Sequence, residues 1–153
     1  MWFFKDKIIK DVKDFGDKKP YGFIYEVTHI PSGKKYLGKK VLYFEQNKRL
    51  GKKALEALRE EKKAKGIRGK TPLKQKIVTE SDWKTYYGSH KDILKLVKEG
   101  KKQDFKREIL MCVESKKLLT YYECKLLFEK DVLESDDYIN SNILGKFYKT
   151  DFH

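Results

Sequence analysis

The sequence predicts an α+β fold: a small, mostly antiparallel sheet of three strands flanked by helices, with a basic helical segment inserted over about residues 39–80. Three observations predict it. Apolar residues alternate with a period of two on either side of a turn between Tyr21 and Gly38, the mark of a hairpin. Phe105–Val113, which ends in the apolar stretch Ile109–Val113, supplies a third, central strand. Elsewhere the apolar period changes to that of a helix, over 52–65, 92–99 and 117–133.

In chain order, residues 1–19 come first. Phe4, Ile8, Ile9, Val12 and Phe15 recur at helical spacing, and the run Gly16–Pro20 stops them, so an amphipathic packing element is expected here. Trp2, Phe3 and Phe4 are costly to leave exposed, which makes the segment a packing element or an oligomer contact. From Tyr21, Phe23, Tyr25 and Val27 fall on one face and Ile24 and Glu26 on the other. In Ile30–Gly33, Pro31 fixes φ and Gly33 accepts positive φ, and Lys35–Gly38 returns as the second strand. Lys52–Lys65 reads as a helix with Leu55 and Leu58 inward, ended by Gly66. The loop Gly66–Leu73 lacks the spacing of a phosphate-cradling P-loop. Ser81 and Asp82 are cap-type residues, and Trp83–His90 leads into a helix at about Asp92–Glu99, with Ile93, Leu94 and Val97 inward and Gly100 at its end. Ser115 can cap the helix 117–133. Residues 136–142 form a turn, and the last ten an extended tail. No repeat or domain boundary interrupts the chain, so 1–153 is read as one domain.

The net charge of +13 is unevenly spread. Lys39–Lys76 holds 14 Lys and Arg against 4 Glu, a surplus of +10, and the other residues share the remaining +3. Such a block is either a solvated lysine-rich surface or the footprint of a polyanion, and the one-sided sign favours nucleic acid. No apolar stretch approaches the roughly 20 residues that cross a bilayer. The N-terminus lacks a secretory pattern, and Cys112 and Cys124 read as reduced thiols, so an intracellular location is expected. Three histidines, His29, His90 and His153, have no paired ligand spacing, which argues against a histidine-metal site.

Glu123 is an anomaly on its helix. Leu119, Leu126 and Leu127 lie at i−4, i+3 and i+4, so a carboxylate sits on the apolar stripe. A charge there is expensive unless paired or bound to a cation. Two readings follow: Glu123 meets a Lys or Arg of the sheet, such as Arg107, or it is a metal ligand at the base of a cleft.

With the hairpin, Glu123 makes the sequence resemble the GIY-YIG nuclease family. Ile24-Tyr25 matches the first motif, preceded by Phe23 rather than Gly, with Gly22 displaced by one. Tyr36-Leu37-Gly38 matches the second, with Leu for the usual Ile. The helix with Glu123, and then Tyr138 and Asn140, follow in the family's order, so the likeness spans about Tyr21 to Asn142. Trp83–His90 is similar to a segment that phage-encoded small nucleases of this type carry ahead of the third strand.

The resemblance implies a divalent-metal-dependent endonuclease acting on DNA, phage-encoded and so working in the host cytoplasm. Tyr36 or Tyr25 would orient or deprotonate water, Glu123 would hold one Mg²⁺ (or Mn²⁺), and Asn140 would support the site by hydrogen bonding. An unperturbed phenol has a pKa of about 10, so base work needs nearby positive charge. The family's arginine after the second motif has no direct counterpart, and its cationic role stays open among Lys40, Arg49 and Arg107. Lys39 and Lys40 follow the second motif, where the scissile phosphate would lie. Candidate DNA contacts are Lys39, Lys48, Lys52, Lys53, Arg68 and Lys70. The rival readings are a non-catalytic nucleic-acid-binding protein with the same fold, and a basic protein that binds an acidic partner.

Overall fold

A computed structural model describes all 153 residues. Its strands and helices are, in order, β1 (Trp2–Phe4), β2 (Lys7–Ile9), β3 (Gly22–His29), β4 (Lys35–Val41), β5 (Tyr43–Arg49), α1 (Lys52–Ala64), β6 (Lys74–Glu80), α2 (Lys91–Lys98), β7 (Phe105–Val113), α3 (Lys116–Glu129), β8 (Asn142–Ile143) and β9 (Phe147–Tyr148). The chain divides into two units, one of residues 1–42 with 81–153 and the other of residues 43–80.

The first unit is built on a sheet of five strands, in the order β2-β1-β7-β3-β4. All its pairings are antiparallel except β1 with β7. The expected hairpin is β3–β4, and the expected central strand is β7, which pairs with β3 along its length. The two extra strands correct the reading of residues 1–19 as a helical stretch. Trp2–Phe4 and Lys7–Ile9 are rich in aromatic and β-branched residues, and the two residues between them, Lys5 and Asp6, take φ of 46° and 63°. Two consecutive positive-φ residues make the tight turn whose twist suits a hairpin. Only Val12–Phe15 keeps a helical shape there, as one 3₁₀ turn with Asp11 as N-cap.

β3 is buried on both faces from Gly22 to Val27 because each face is covered. On one side α3 lays Leu119 and Leu127 against Ile24 and Leu37, joined by Val113, Val132 and Ile143. Ser115 accepts from the Leu118 N–H at 3.2 Å and starts α3 where the sequence placed its cap. On the other side Trp2, Phe23, Tyr25 and Trp83 form an edge-to-face aromatic layer with ring centroids 5.1–6.3 Å apart. Trp2 is thereby a core residue, and its indole N–H donates to the Trp83 carbonyl at 2.7 Å.

The second unit corrects the reading of 39–80 as one helical insertion. Lys39 and Lys40 belong to β4, and the helix α1 is flanked by a two-stranded ribbon, β5–β6. Leu55 and Leu58 of α1 are only half-buried. At the C-terminus, the expected extended tail is a small hairpin, β8–β9, followed by a 3₁₀ turn at Lys149–Asp151. No helix is long and apolar enough to cross a membrane.

Candidate active site

β4 is an edge strand, so side chains from both faces of the sheet can gather at its rim. Its register sets Gly38 against Tyr25, Tyr36 against Val27 and Lys40 against Phe23, on the aromatic face. Lys39 points to the other face, toward α3. Gly38 is what lets Tyr25 reach the rim. A methyl group at Gly38 would lie 2.5 Å from the Tyr25 hydroxyl and 2.8 Å from its ring carbon Cζ. The Tyr25 and Tyr36 rings are then 6.3 Å apart.

A loop that sequence reasoning did not assign to the chemistry closes this pair from above. Ser89 Oγ and the Tyr36 hydroxyl are 2.9 Å apart. Gly88, at φ 108°, lies so close that a Cβ there would be 3.2 Å from the Tyr36 ring and 3.4 Å from the Tyr25 hydroxyl. Tyr86 packs edge-on to Tyr25 at 5.9 Å. His90 caps α2 by accepting from the Asp92 N–H at 3.3 Å, with its ring 5.8 Å from that of Tyr36. The signal was present in Trp83–His90, where glycine and serine follow two tyrosines.

Glu123 completes the group. Its Oε2 is buried and makes no hydrogen bond. Its nearest cation is Lys39, with Nζ 3.6 Å from Oε2, rather than Arg107. Lys39 is held in turn by Thr120, whose Oγ1 accepts from Nζ at 2.9 Å. Burial raises the pKa of Glu123, and Lys39 only partly opposes it. Burial also raises Tyr25 well above the ordinary phenol value, with further increments from Tyr86, Tyr36 and Glu123. Tyr36 is raised by burial and to a lesser degree by Tyr86 and Glu123, while its bond to Ser89 pulls the other way. The Lys39–Glu123 contact joins hairpin and helix, and the Glu123 charge adds a small upward push to both phenols.

The three candidate cations separate clearly. Lys40 stays near the site: its Nζ contacts Asp82 at 2.5 Å and lies 3.9 Å from the centre of the Tyr86 ring. Arg107 is buried and positions the loop instead. Its Nη1 donates to the carbonyls of Lys84 (3.1 Å) and Tyr86 (2.7 Å), and its guanidinium stacks between Trp2 and Tyr87. Arg49 belongs to the second unit, on β5 opposite Lys74. Asn140 works on the backbone: Nδ2 donates to the Leu37 carbonyl at 2.8 Å and Oδ1 accepts from the Leu37 N–H at 3.1 Å. Its segment pairs with the outer edge of β4 through Lys35 and Tyr138, so it holds the strand that carries Tyr36 and Gly38. Of the candidate DNA contacts, Lys39 lies at the site, and Lys48, Lys52, Lys53, Arg68 and Lys70 are all exposed on the second unit. Cys112 and Cys124 are free; burial pushes the Cys112 thiol up to about 11, so it rests as a neutral thiol.

The family model described as "Putative endonuclease segE, GIY-YIG domain" matches residues 2–143, nearly the whole chain. The chain belongs to the GIY-YIG endonuclease family. No curated protein and no solved structure matches it. The match runs from β1 to β8. GIY-YIG nucleases generally depend on a divalent metal and act on DNA.

The residues present suit one kind of ion. No cluster of three or more His, Cys, Asp or Glu exists to form a closed metal cage. A single carboxylate with a buried, unbonded oxygen does exist, at Glu123. Mg²⁺ keeps several waters and takes one or two carboxylates together with substrate phosphate oxygens, so this donor set fits it.

Proposed function

We propose that this GIY-YIG endonuclease is divalent-metal-dependent and hydrolyses DNA, with Glu123 as the protein ligand of one Mg²⁺ or Mn²⁺. The observation that carries the reading is the buried Glu123 Oε2, which has no hydrogen bond and lies 3.6 Å from Lys39 Nζ on the strand that bears Tyr36. The ion, when bound, neutralises charge on the phosphate and assists the leaving oxygen.

The chain's own residues do the rest. Tyr36 is the better candidate to orient and deprotonate the attacking water. It is half-buried rather than buried, and it already shares a hydrogen bond with Ser89 that favours its ionised form. Tyr25 is 1% exposed and stays protonated, so it serves as a fixed hydrogen-bond donor at the rim. Lys39 and Lys40 bring positive charge to the phosphate from the two faces of β4. Arg107 and Asn140 hold the loop and the strand in place. The likeness of Trp83–His90 to its counterpart in phage-encoded nucleases supports a phage gene and action in the host cytoplasm.

Purified protein with Mg²⁺ is expected to nick or cut plasmid DNA, and Glu123→Ala to abolish this while DNA retention persists. Absence of cleavage by wild type over several metals and DNA types, with retention intact, would leave a binding module and reject the catalytic reading.

A further inference from the structure

The second unit holds twelve Lys and Arg against five Glu and no Asp in residues 43–80, a net +7, and none of its side chains is buried. Its ribbon has two unlike sides, because alternate residues of a strand point to opposite faces. On one side Phe44 pairs with Thr79, Gln46 with Ile77 and Lys48 with Gln75. The ladder continues to Leu50, whose N–H donates to the Leu73 carbonyl at 2.9 Å, and Leu50 and Ile77 are half-buried. On the other side Tyr43 pairs with Glu80, Glu45 with Val78, Asn47 with Lys76 and Arg49 with Lys74. The distal half of that side is four exposed residues, Asn47, Arg49, Lys74 and Lys76. Glu45, nearer the base, is tied to Lys76 at 3.0 Å.

We infer that this side of the β5–β6 ribbon enters the major groove of duplex DNA, where Asn47, Arg49, Lys74 and Lys76 read base edges and set where the enzyme cuts. The inference rests on the DNA-cleaving function proposed above. Three physical points favour the duplex as occupant. The unit's surplus of positive charge complements a polyanion. The major groove admits a two-stranded ribbon, and there an amide pairs with adenine while Arg and Lys pair with guanine. Same-side neighbours on a strand are spaced about 6.8 Å apart, close to two base-pair steps of about 3.4 Å each. Asn47 and Arg49, and likewise Lys74 and Lys76, would therefore address positions about two base pairs apart. The exposed Lys52, Lys53, Arg68 and Lys70 of the same unit suit phosphate contacts, which position a protein without reading sequence.

The test uses the full chain made non-cleaving by Glu123→Gln. Duplexes it retains from a random-sequence library are sequenced, and cut sites of the cleaving protein are mapped in parallel. The expected result is a short preferred sequence in which Asn47→Ala flattens an adenine preference. Lys74→Gln is expected to flatten a guanine preference about two base pairs away, each change removing about 5- to 150-fold of discrimination. A Lys52→Gln/Lys53→Gln variant is expected to weaken retention of all sequences alike and leave the preference intact. If cleavage occurs but Asn47→Ala and Lys74→Gln leave the preference unchanged, or wild type has none, the ribbon inference is overturned while the nuclease reading stands. Tighter retention of single strands, or of an acidic protein, than of duplex DNA overturns it too. Loss of both retention and metal-dependent cleavage in wild type removes the DNA-cleaving function itself, and the ribbon inference with it.

Discussion

Gly38→Ala probes the feature on which the site's geometry turns. The added methyl would lie 2.5 Å from the Tyr25 hydroxyl and 2.8 Å from Cζ, where ordinary contact begins at 3.4 Å, so the phenol must retreat by about 0.9 Å. It has little room. Tyr25 is 1% exposed, with Trp2 5.4 Å away on one flank and Tyr86 5.9 Å away on another. Overpacking of this kind costs about 1–3 kcal/mol. For a chain of this length that is roughly 2–12 °C in Tm, at 2–4 °C per kcal/mol. A displacement near 1 Å at a reacting centre costs on the order of 10²-fold in rate. Thermal denaturation and plasmid nicking under saturating Mg²⁺ measure the two effects. In Gly38→Ala/Tyr25→Phe the nearest remaining atom is the ring carbon at 2.8 Å, so part of the lost stability returns but the activity does not. A Gly38→Ala enzyme within twofold of wild type in rate and within about a degree in Tm would refute the close approach as the reason for glycine there.

Two further outcomes follow from the charges at the site. Burial raises the Glu123 pKa in the folded state, so the folded chain binds that proton more readily than the unfolded one. Stability then falls as pH rises from the unfolded value toward the folded one, and the ionised carboxylate is a net cost above that window. Glu123→Gln should therefore melt at or above the wild-type temperature near pH 7, with the difference shrinking toward pH 4; a lower melting temperature at pH 7 would show that Lys39 outweighs burial. Ser89→Ala removes the one bond that favours ionised Tyr36, so the rise of cleavage rate with pH should move to higher pH. The rate near neutrality should drop about fivefold, the equivalent of about 1 kcal/mol, and Ser89→Thr should restore it. An unmoved pH profile would exclude Tyr36 as the base.

Much of this architecture was legible because single residues announce single physical needs. The β3–β4 hairpin shows as period-two alternation leading into the turn at Pro31 and Gly33, β7 through its apolar end Ile109–Val113, and α3 as a Ser115 cap followed by leucines. Glu123 stood out because a carboxylate on an apolar stripe needs an explanation. The N-terminal strands were hidden because Phe4, Ile8 and Val12 also fit a helical period, and only the positive φ of Lys5 and Asp6 decides between the two. Arg107 could be seen as a cation but not as a clamp, since its carbonyl partners lie 21 and 23 residues earlier and chain spacing carries no trace of them. The loop at Gly88 and Ser89 was visible as a motif yet silent on chemistry, because its meaning lies in what it touches.

One electrostatic condition joins these parts. Tyr25, Tyr36 and Glu123 are all pushed toward their neutral forms by burial, and the Glu123 charge raises both phenols further. Lys39 is the one cation paired with Glu123, and it lowers that carboxyl without reversing the shift. Added positive charge next to Oε2 acts on all three groups in the same direction, because all three are coupled through the same carboxylate. A buried oxygen without a hydrogen bond would be a defect in a purely structural core. At the rim of an edge strand it suits the metal ion proposed above, with Lys39 and Lys40 on opposite faces of the same strand.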